Sequence, residues 1–372
     1  MNFDFSDELK QVRDEARKFL ARPVVKARVR ALLEGGTEDG GLWKEVAALG
    51  WTGATIPERF GGSELGPLAA CALAEEIGYA VAALPFSSSV YLATEALLAF
   101  GSPRQQERWL PRLASGASIG CFALAEGVGP FTASHVLACV AAQKLSASKW
   151  PVADGALADF ALVVARDSEG RMLHLIELNT AQVRCTPVPT LDISRAQARL
   201  DFDHARAEVL PGASDWQDVR RLLDRAAVMM AFEQIGGAQA ALEMARDYTL
   251  QRYAFGKPIA SFQAIKHKLA DVYVGIELAR SNAYYGAWAI DKNAAELPIA
   301  ASSVRIAASD AAWQATKEHV QTHGGMGYTW DLDCHLYYRR AKFQALTLGS
   351  TREWQRRLMD HVSPRSTLQG AH

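Results

Sequence analysis

The sequence lacks an excess of charge of either sign, and it lacks long apolar runs. Its 372 residues carry 40 Lys and Arg against 41 Asp and Glu, which gives a formal net charge of −1. Without a basic excess there is no electrostatic footprint for nucleic acid or for an anionic membrane. No apolar run approaches the roughly 20 residues that span a bilayer. We therefore expect no nucleic-acid partner and no membrane span.

Cysteine is scarce, odd in number and scattered, with no C-x-x-C pair. We interpret the five cysteines as reduced thiols that mostly fill the core. They are Cys71, Cys121, Cys139, Cys185 and Cys334. The first twenty residues, MNFDFSDELKQVRDEARKFL, are charged from the fourth position and contain no apolar signal-peptide core. We therefore expect a cytoplasmic protein.

The first third of the chain, residues 1–120, has helical periodicity. Apolar residues recur at spacings of three and four, as in Phe5, Leu9 and Val12, and glycine and proline separate the successive helical runs. Hydrophobic residues make up 49% and charged residues 22% of the whole chain, which is typical of a folded protein with a large core. These residues predict an N-terminal all-α domain.

Periodicity changes twice along the rest of the chain. Residues 121–212 alternate with period two, and residues 160–178 predict a β-hairpin. From 213 onward the chain is helical again, with a very long helix from Trp216 to about Tyr253 and further helices after it. We predict an α+β multidomain fold with a central β-domain, sandwich- or barrel-like, and a C-terminal long-helix bundle at 213–372.

The turn between the two long helices reads RYAFGKPIASFQ, from Arg252 to Gln263. Gly256 tolerates a positive φ, and Pro258 prevents the helix from continuing. The guanidinium of Arg252 could hold a phosphate, and the amide of Gln263 could contact the same ligand. The alternative is an ordinary helix–helix turn with a solvated arginine.

A second glycine-rich segment reads QTHGGMGY, from Gln321 to Tyr328. Its glycines let a backbone approach a ligand closely, although a helix and not a strand precedes them, so it is not the dinucleotide fingerprint. The alternative is a glycine-rich helix stop. His319 and His323 share one helix face with His335 nearby, but no third ligand is obvious and Val320 stands where metalloproteases have Glu. We predict no metal site.

Together, R-x-x-F-G-x-P-I-x-x-F-Q and Q-x-H-G-G-x-G-Y resemble the acyl-CoA dehydrogenase family. Segments 42–51, 56–62 and 101–111 resemble that family's first domain, and the α–β–α order is also the family's. The resemblance implies an acyl-CoA substrate, from which a carboxylate removes the α-proton while FAD takes a hydride from the β-carbon. It also implies a dimer or tetramer in which one subunit clamps the FAD diphosphate of its neighbour. The positions that match this clamp are Arg252, Phe255, Gln263, Gln321, Gly324 and Gly325.

The sequence departs from the family's pattern where the chemistry would take place. Leu348 and Ala226 occupy the two positions at which members carry the catalytic glutamate. Val152, in Trp-Pro-Val, replaces a hydroxyl residue that contacts the flavin, and the loop at 125–131 lacks the Thr and the Gly-Ser-Asp of the family. These losses resemble the non-catalytic β-type subunits of bacterial α2β2 acyl-CoA dehydrogenases, which often act on bulky steroid-derived thioesters.

Two alternatives to a β-type subunit remain open. In the first, the chain is an autonomous homo-oligomeric enzyme that uses Glu233 as its base, because Glu233 lies in an apolar stretch two helical turns beyond Ala226. Asp224 and Glu126 are weaker candidates for the same role. In the second, the chain is a catalytically dead scaffold or regulator. The sequence leaves the acyl group and the electron acceptor open.

Overall fold

The structure, a computed structural model, describes residues 5–36 and 40–363. Six α-helices come first, and a π-helical segment, Ser87–Thr94, runs directly into the fifth. They are α1 Asp7–Leu20, α2 Pro23–Leu33, α3 Gly41–Ala48, α4 Gly66–Tyr79, α5 Glu95–Phe100 and α6 Pro103–Ala114. Of the predicted apolar stripe, Phe5 before α1 is buried in the core together with Ala16 and Leu20 of the helix, and Leu9 and Val12 are half-buried against it.

The middle of the chain forms two four-stranded sheets. The first has the order β1-β4-β5-β8 and the second β2-β3-β7-β6. The strands are β1 Gly120–Ala123, β2 Val140–Ala141, β3 Lys144–Ala153, β4 Phe160–Val164, β5 Leu173–Glu177, β6 Val183–Val188, β7 Gln197–Arg206 and β8 Glu208–Val209. Only the β1–β4 pair is parallel among these ladders, and the predicted hairpin is the antiparallel pair β4–β5. Both sheets contribute to one apolar core between them, which confirms the predicted β-domain.

Five helices complete the described chain, after a two-residue pairing of β9 Tyr253–Ala254 with β10 Lys257–Pro258 between the first two. They are α7 Trp216–Gln251, α8 Gln263–Asp291, α9 Leu297–Thr322, α10 Cys334–Thr347 and α11 Thr351–Val362. The 36 residues of α7 extend over about 54 Å. The helical bundle therefore confirms the predicted fold class. The domain boundaries at 120/121 and 212/213 remain predictions.

Two glycines let α4 and α7 cross backbone to backbone. A Cβ on Gly236 of α7 would lie 1.8 Å from the carbonyl oxygen of Glu75, and a Cβ on Gly78 of α4 would lie 1.8 Å from that of Glu233. Because no side chain fits at this crossing, the two helices close the space between the N-terminal helices and the bundle. In residues 5–36 and 40–363, no helix combines the length and the apolar character needed to cross a membrane.

Candidate functional site

A cavity of about 340 Å³ opens where the β-domain meets the helical bundle. Its walls come from the π-helical segment, β1, β3, α7 and α10, and from the loop at 124–131. Most of the lining is apolar, with Ser88, Thr190, Gln197 and Thr347 as polar exceptions. None of the described residues that line it is acidic or basic. A general base that acts on a ligand in this cavity would have to come from elsewhere.

The two positions at which the family carries its base hold apolar side chains in the structure too. Leu348 follows α10 and lines the cavity, and its carbonyl accepts a hydrogen bond from Trp354 Nε1 at 3.0 Å. Ala226 is fully buried in α7, whose contribution to the cavity is Leu223, one turn earlier. Neither Leu348 nor Ala226 can accept a proton.

The β3 wall of the cavity is largely apolar. Trp150, Pro151 and Ala153 face the cavity, whereas Val152 is fully buried in the core between the sheets. The pairing of β3 with β7 shifts register between Lys149 and Val152, and such an irregularity re-aims the side chains around it. Pro151 has no N–H and Ala153 has no polar side chain, so at these two positions the wall offers no side-chain hydrogen-bond donor.

Glu126, a weak candidate for the base, has a structural role in the loop that borders the cavity. Its carboxylate accepts hydrogen bonds from the backbone N–H groups of Leu137 and Ala138, each at 3.1 Å. It also pairs with the ammonium of Lys149 at 2.7 Å. Burial lowers the pKa of Lys149, and Glu126 opposes that shift. The carboxylate therefore neutralises a buried lysine.

Asp224, the other weak candidate, is 2% exposed and forms an ion pair with Arg357 of α11. Burial raises the pKa of Asp224 to about 6, and the charge of Arg357 opposes the shift. Asp224 follows Leu223 directly, but its side chain is not part of the cavity lining. The structure thus directs this carboxylate toward α11.

Glu233 lies deep in the molecule, with its side chain fully buried. Tyr91 donates a hydrogen bond to one carboxylate oxygen at 3.2 Å, and Gln344 donates to the other at 2.8 Å. The guanidinium groups of Arg195 and Arg340 approach the second oxygen to 3.8 and 3.9 Å. Both oxygens are therefore engaged, and Glu233 does not line the cavity.

Glu233 belongs to a buried group of three carboxylates and three guanidiniums, which we call the Glu233 cluster. Its members are Glu233, Asp154, Asp192, Arg195, Arg305 and Arg340, each at most 3% exposed. Burial alone would lower the pKa of Arg195, but Asp154 and Glu233 outweigh it and the pKa is raised. Burial lowers the pKa of Arg305 to about 9. The cluster joins the β-domain to α7, α9 and α10 through balanced charge.

The first predicted clamp segment lies on the surface at the far end of α7. The guanidinium of Arg252 is exposed and has no hydrogen-bond or ion-pair partner among residues 5–36 and 40–363. Phe255 is 94% exposed and has a φ of +53°, a conformation that non-glycine residues adopt at a cost. Gln263 begins α8, also exposed. A free arginine beside an exposed phenylalanine is typical of a surface that meets a ligand or another chain.

The second predicted clamp segment lies beside the first. Gln321, Gly324 and Gly325 are exposed at the end of α9 and in the turn after it. Tyr248, one turn before Arg252, stacks on His323 with ring centroids 4.1 Å apart. The structure thus brings both segments to one end of the bundle. The clamp assignment itself remains a prediction.

The clamp end and the cavity lie far apart in one chain. From Leu223 at the cavity to Arg252 there are 29 residues of α7, or about 43 Å along the helix axis. This separation exceeds the length of an FAD molecule. One FAD therefore cannot reach both the cavity and the Arg252 segment of the same chain.

Comparison with known proteins identifies the family. The acyl-CoA dehydrogenase N-terminal domain matches residues 6–117, and the acyl-CoA dehydrogenase C-terminal domain matches residues 216–362. The chain belongs to the acyl-CoA dehydrogenase family. Its members are oxidoreductases that act on CH–CH donors and typically bind FAD.

Relatives of this acyl-CoA dehydrogenase family chain cover almost its whole length. Acyl-CoA dehydrogenase IpdE2 of Mycobacterium tuberculosis is 34% identical, over 96% of this chain and 98% of its own. The ChsE4-ChsE5 complex of Mycobacterium tuberculosis contains a chain that is 25% identical with a TM-score of 0.88, over 98% and 99% of the two chains. Butyryl-CoA dehydrogenase of Megasphaera elsdenii is 26% identical with a TM-score of 0.87, over 97% and 100%.

Proposed function

We propose that this chain is a β-type subunit of a heteromeric acyl-CoA dehydrogenase, one that clamps the FAD diphosphate of a partner α subunit. The observation that carries the proposal is the contrast along α7. The cavity at one end has no charged lining, while the other end presents an unpaired arginine about 43 Å away. A chain with these features could support a flavin in a neighbour more readily than catalyse the reaction in its own cavity.

The clamp residues fit the diphosphate end of FAD. The fork of Arg252 can donate two parallel hydrogen bonds to phosphate oxygens, and Gln263 and Gln321 add amide donors. Gly324 and Gly325 have no side chain within the turn, so their backbone N–H groups can approach an anion closely. When bound, FAD supplies the hydride acceptor of the reaction. This chain's residues hold and orient it.

The cavity lining, unlike the clamp residues, does not suit the part of FAD that it would hold, the isoalloxazine ring. Pro151 and Ala153 give no side-chain donor on the β3 wall, and Leu348 gives no base. We therefore propose that the α subunit removes the α-proton and supplies the surface that holds the flavin ring. The ChsE4-ChsE5 complex, a relative of this fold, is itself built from two named components. We further propose a bulky, steroid-like or branched acyl-CoA as the substrate of the complex.

Flavin content and activity test this proposal. The chain is purified alone and after co-expression with catalytic members of the family, and FAD per chain is measured by visible absorbance. We expect little or no FAD and no turnover of acyl-CoA with a dye acceptor for the chain alone. We expect two FADs per four chains, with activity, in the heteromeric complex.

Two outcomes would replace the proposal with one of its alternatives. Full flavin loading and turnover by the chain alone would favour an autonomous homo-oligomeric enzyme, for which Glu233→Gln would then be the deciding variant. A complex that forms but keeps its FAD equally well with Arg252→Ala would favour a scaffold without a clamp. A monomer under all conditions would contradict the proposal and the autonomous-enzyme alternative.

A further inference from the structure

Two histidines and a cysteine meet at the junction of α9 and α10. His319 and His323 lie one turn apart near the end of α9, and Cys334 is the first residue of α10. One ligand atom from each of the three lies within 4.8 Å of the other two, and Cys334 Sγ is 3.3 Å from His319 Nε2. His335, considered above as a ligand, instead stacks on Trp330 at 4.5 Å. The third ligand that the sequence did not reveal is therefore a thiol.

The tautomer of His323 leaves Nε2 as its ring nitrogen with a lone pair. His323 Nδ1 lies 2.9 Å from the carbonyl oxygen of His319. A carbonyl can only accept a hydrogen bond, so Nδ1 carries the proton and Nε2 has a free lone pair. Metal-binding histidines are commonly oriented in this way, with the second ring nitrogen donating to a backbone carbonyl.

The group is buried. His319 and Cys334 are each 1% exposed and His323 is 8% exposed. A cation held between these side chains would be shielded from water, and its charge would stabilise the Cys334 thiolate.

The alternative is an ordinary core contact in which the Cys334 thiol donates to His319 Nε2. That contact would leave the proton of His319 on Nδ1. A cation on Nε2 would leave the same proton on Nδ1, which is buried and has no hydrogen-bond partner in the described part of the chain. Metal titration therefore distinguishes the thiol–imidazole contact from a cation site.

We propose that His319, His323 and Cys334 form a binding site for one soft divalent cation, with Zn²⁺ as its best fit. Zn–N bonds of about 2.0 Å and a Zn–S bond of about 2.3 Å place tetrahedral ligand atoms about 3.5 Å apart. The 3.3 Å between Cys334 Sγ and His319 Nε2 agrees with this spacing, whereas the group as a whole spans up to 4.8 Å and would contract on binding the ion. A water completes the tetrahedron, and the bound ion links the end of α9 to the start of α10.

Metal titration of the full-length chain tests the site. The protein is stripped with a chelator and titrated with Zn²⁺ against a competing indicator, and with Co²⁺ followed by absorbance. We expect one equivalent per chain and a thiolate-to-cobalt charge-transfer band. Cys334→Ala should weaken binding on the order of 100-fold and abolish that band. Cys71→Ala removes another fully buried thiol, in α4, and should change neither result.

Two further variants keep the test decisive. If Cys334→Ala fails to fold, Cys334→Ser retains the shape while replacing the soft ligand, and His323→Asn removes an imidazole. Equal Zn²⁺ affinity in wild type and in the folded variants would overturn the proposal, because binding would then arise from other surface groups. Cobalt binding without a thiolate band would likewise exclude Cys334. Neither readout depends on FAD or activity, so failure here leaves the proposed function intact.

Discussion

Two buried regions along α7 differ completely in chemistry. The cavity at Leu223 has no charged residue in its described lining, whereas the Glu233 cluster, about 15 Å further along the helix, packs six charged side chains. The cavity has space for a ligand but no base. The cluster has carboxylates, but the Glu233 oxygens already accept hydrogen bonds from Tyr91 and Gln344, and Asp154 and Asp192 pair with Arg195 and Arg340. A buried acid in an apolar helix is therefore not by that fact a catalytic base. It can act as one only if its side chain points into the cavity that holds the substrate.

The Glu233 cluster is explained by its place between domains. Arg195 comes from the connection before β7, Arg340 from α10 and Glu233 from α7. Arg195 donates to Asp154 at 2.7 Å, and Arg340 donates to Asp192 at 2.7 Å. Such pairs are expensive to break because a removed partner leaves an uncompensated charge in the interior. We therefore interpret the Glu233 cluster as a set of ion pairs that stabilises the packing of the β-domain against the helical bundle.

The largest expected effect follows from removing the central carboxylate. Glu233→Ala should lower the free energy of unfolding by about 3–5 kcal/mol, because Arg195 and Arg340 lose a countercharge in the core. Urea denaturation measures the loss. Glu233→Gln is the matched control, which also removes the charge but leaves no cavity, and it should cost less. A stable Glu233→Gln complex with a specific loss of kcat would instead support Glu233 as the base.

The second effect concerns the opposite end of α7. Arg252→Ala should weaken FAD retention in the heteromeric complex by about 1.5–3 kcal/mol, roughly 10- to 100-fold, because a charge-assisted contact to phosphate is lost. Equilibrium dialysis of the assembled complex measures it. Arg246→Ala is the control, since Arg246 is an exposed arginine of α7 that pairs with its neighbour Asp247. Equal FAD affinity in both variants would reject the clamp.

Local features of the fold were predictable from the sequence. The long helix was predicted from Trp216 to about Tyr253 and is observed as Trp216–Gln251. It was predictable because its apolar periodicity and the helix-breaking Pro258 are local features of the sequence. The hairpin at 160–178 was predictable for the same reason. The α–β–α order followed from the periodicity of apolar residues, and the family followed from two short motifs together with the first-domain segments.

Long-range contacts were not predictable. Glu233 meets Tyr91, Arg195 and Arg340, which are far from it in sequence, so its surroundings depend on the packing of four separate segments. Val152 was expected at the flavin face, but the shift in register on β3 turns it into the core. A single irregularity in a strand exchanges the faces on which the following side chains lie. The alternation of apolar and polar residues along β3 does not show where that irregularity occurs.

A third, smaller effect is a pH dependence of folding stability that arises from His174 in the β-domain. His174 is 1% exposed, and its ring nitrogens have no hydrogen-bond partner in the described chain. Burial lowers its pKa, so the unfolded chain takes up this proton first as pH falls below about 6.5. The contribution of His174 to stability is thus present above about pH 6.5 and is lost as the pH falls toward the folded-state pKa.

His174→Leu tests this pH dependence. It should flatten the fall in stability between about pH 6.5 and 5 by up to about 1.4 kcal/mol per pH unit, since one fewer proton binds on unfolding. Urea denaturation across this pH range measures the slope. His204→Gln, at an exposed histidine of the same domain, serves as control and should leave the slope nearly unchanged. An unchanged slope in His174→Leu would show that this ring is protonated in the folded protein.

The smallest expected effect concerns the cap of α11, which contacts the cavity-lining residue Phe131, and it tests whether that region is held by local contacts. Ser350 caps α11 by accepting from Glu353 N, and the Glu353 carboxylate accepts from Ser350 N at 2.7 Å and from Phe131 N at 2.7 Å. Ser350→Ala should cost about 1 kcal/mol of folding stability, as N-cap losses typically do. Ser102→Ala removes the matching capping box of α6, away from the cavity, and should cost a similar amount. If Ser350→Ala destabilised the chain as strongly as Glu233→Ala, the cavity would share the cooperative, long-range support of the Glu233 cluster, and the contrast between the two regions would fail.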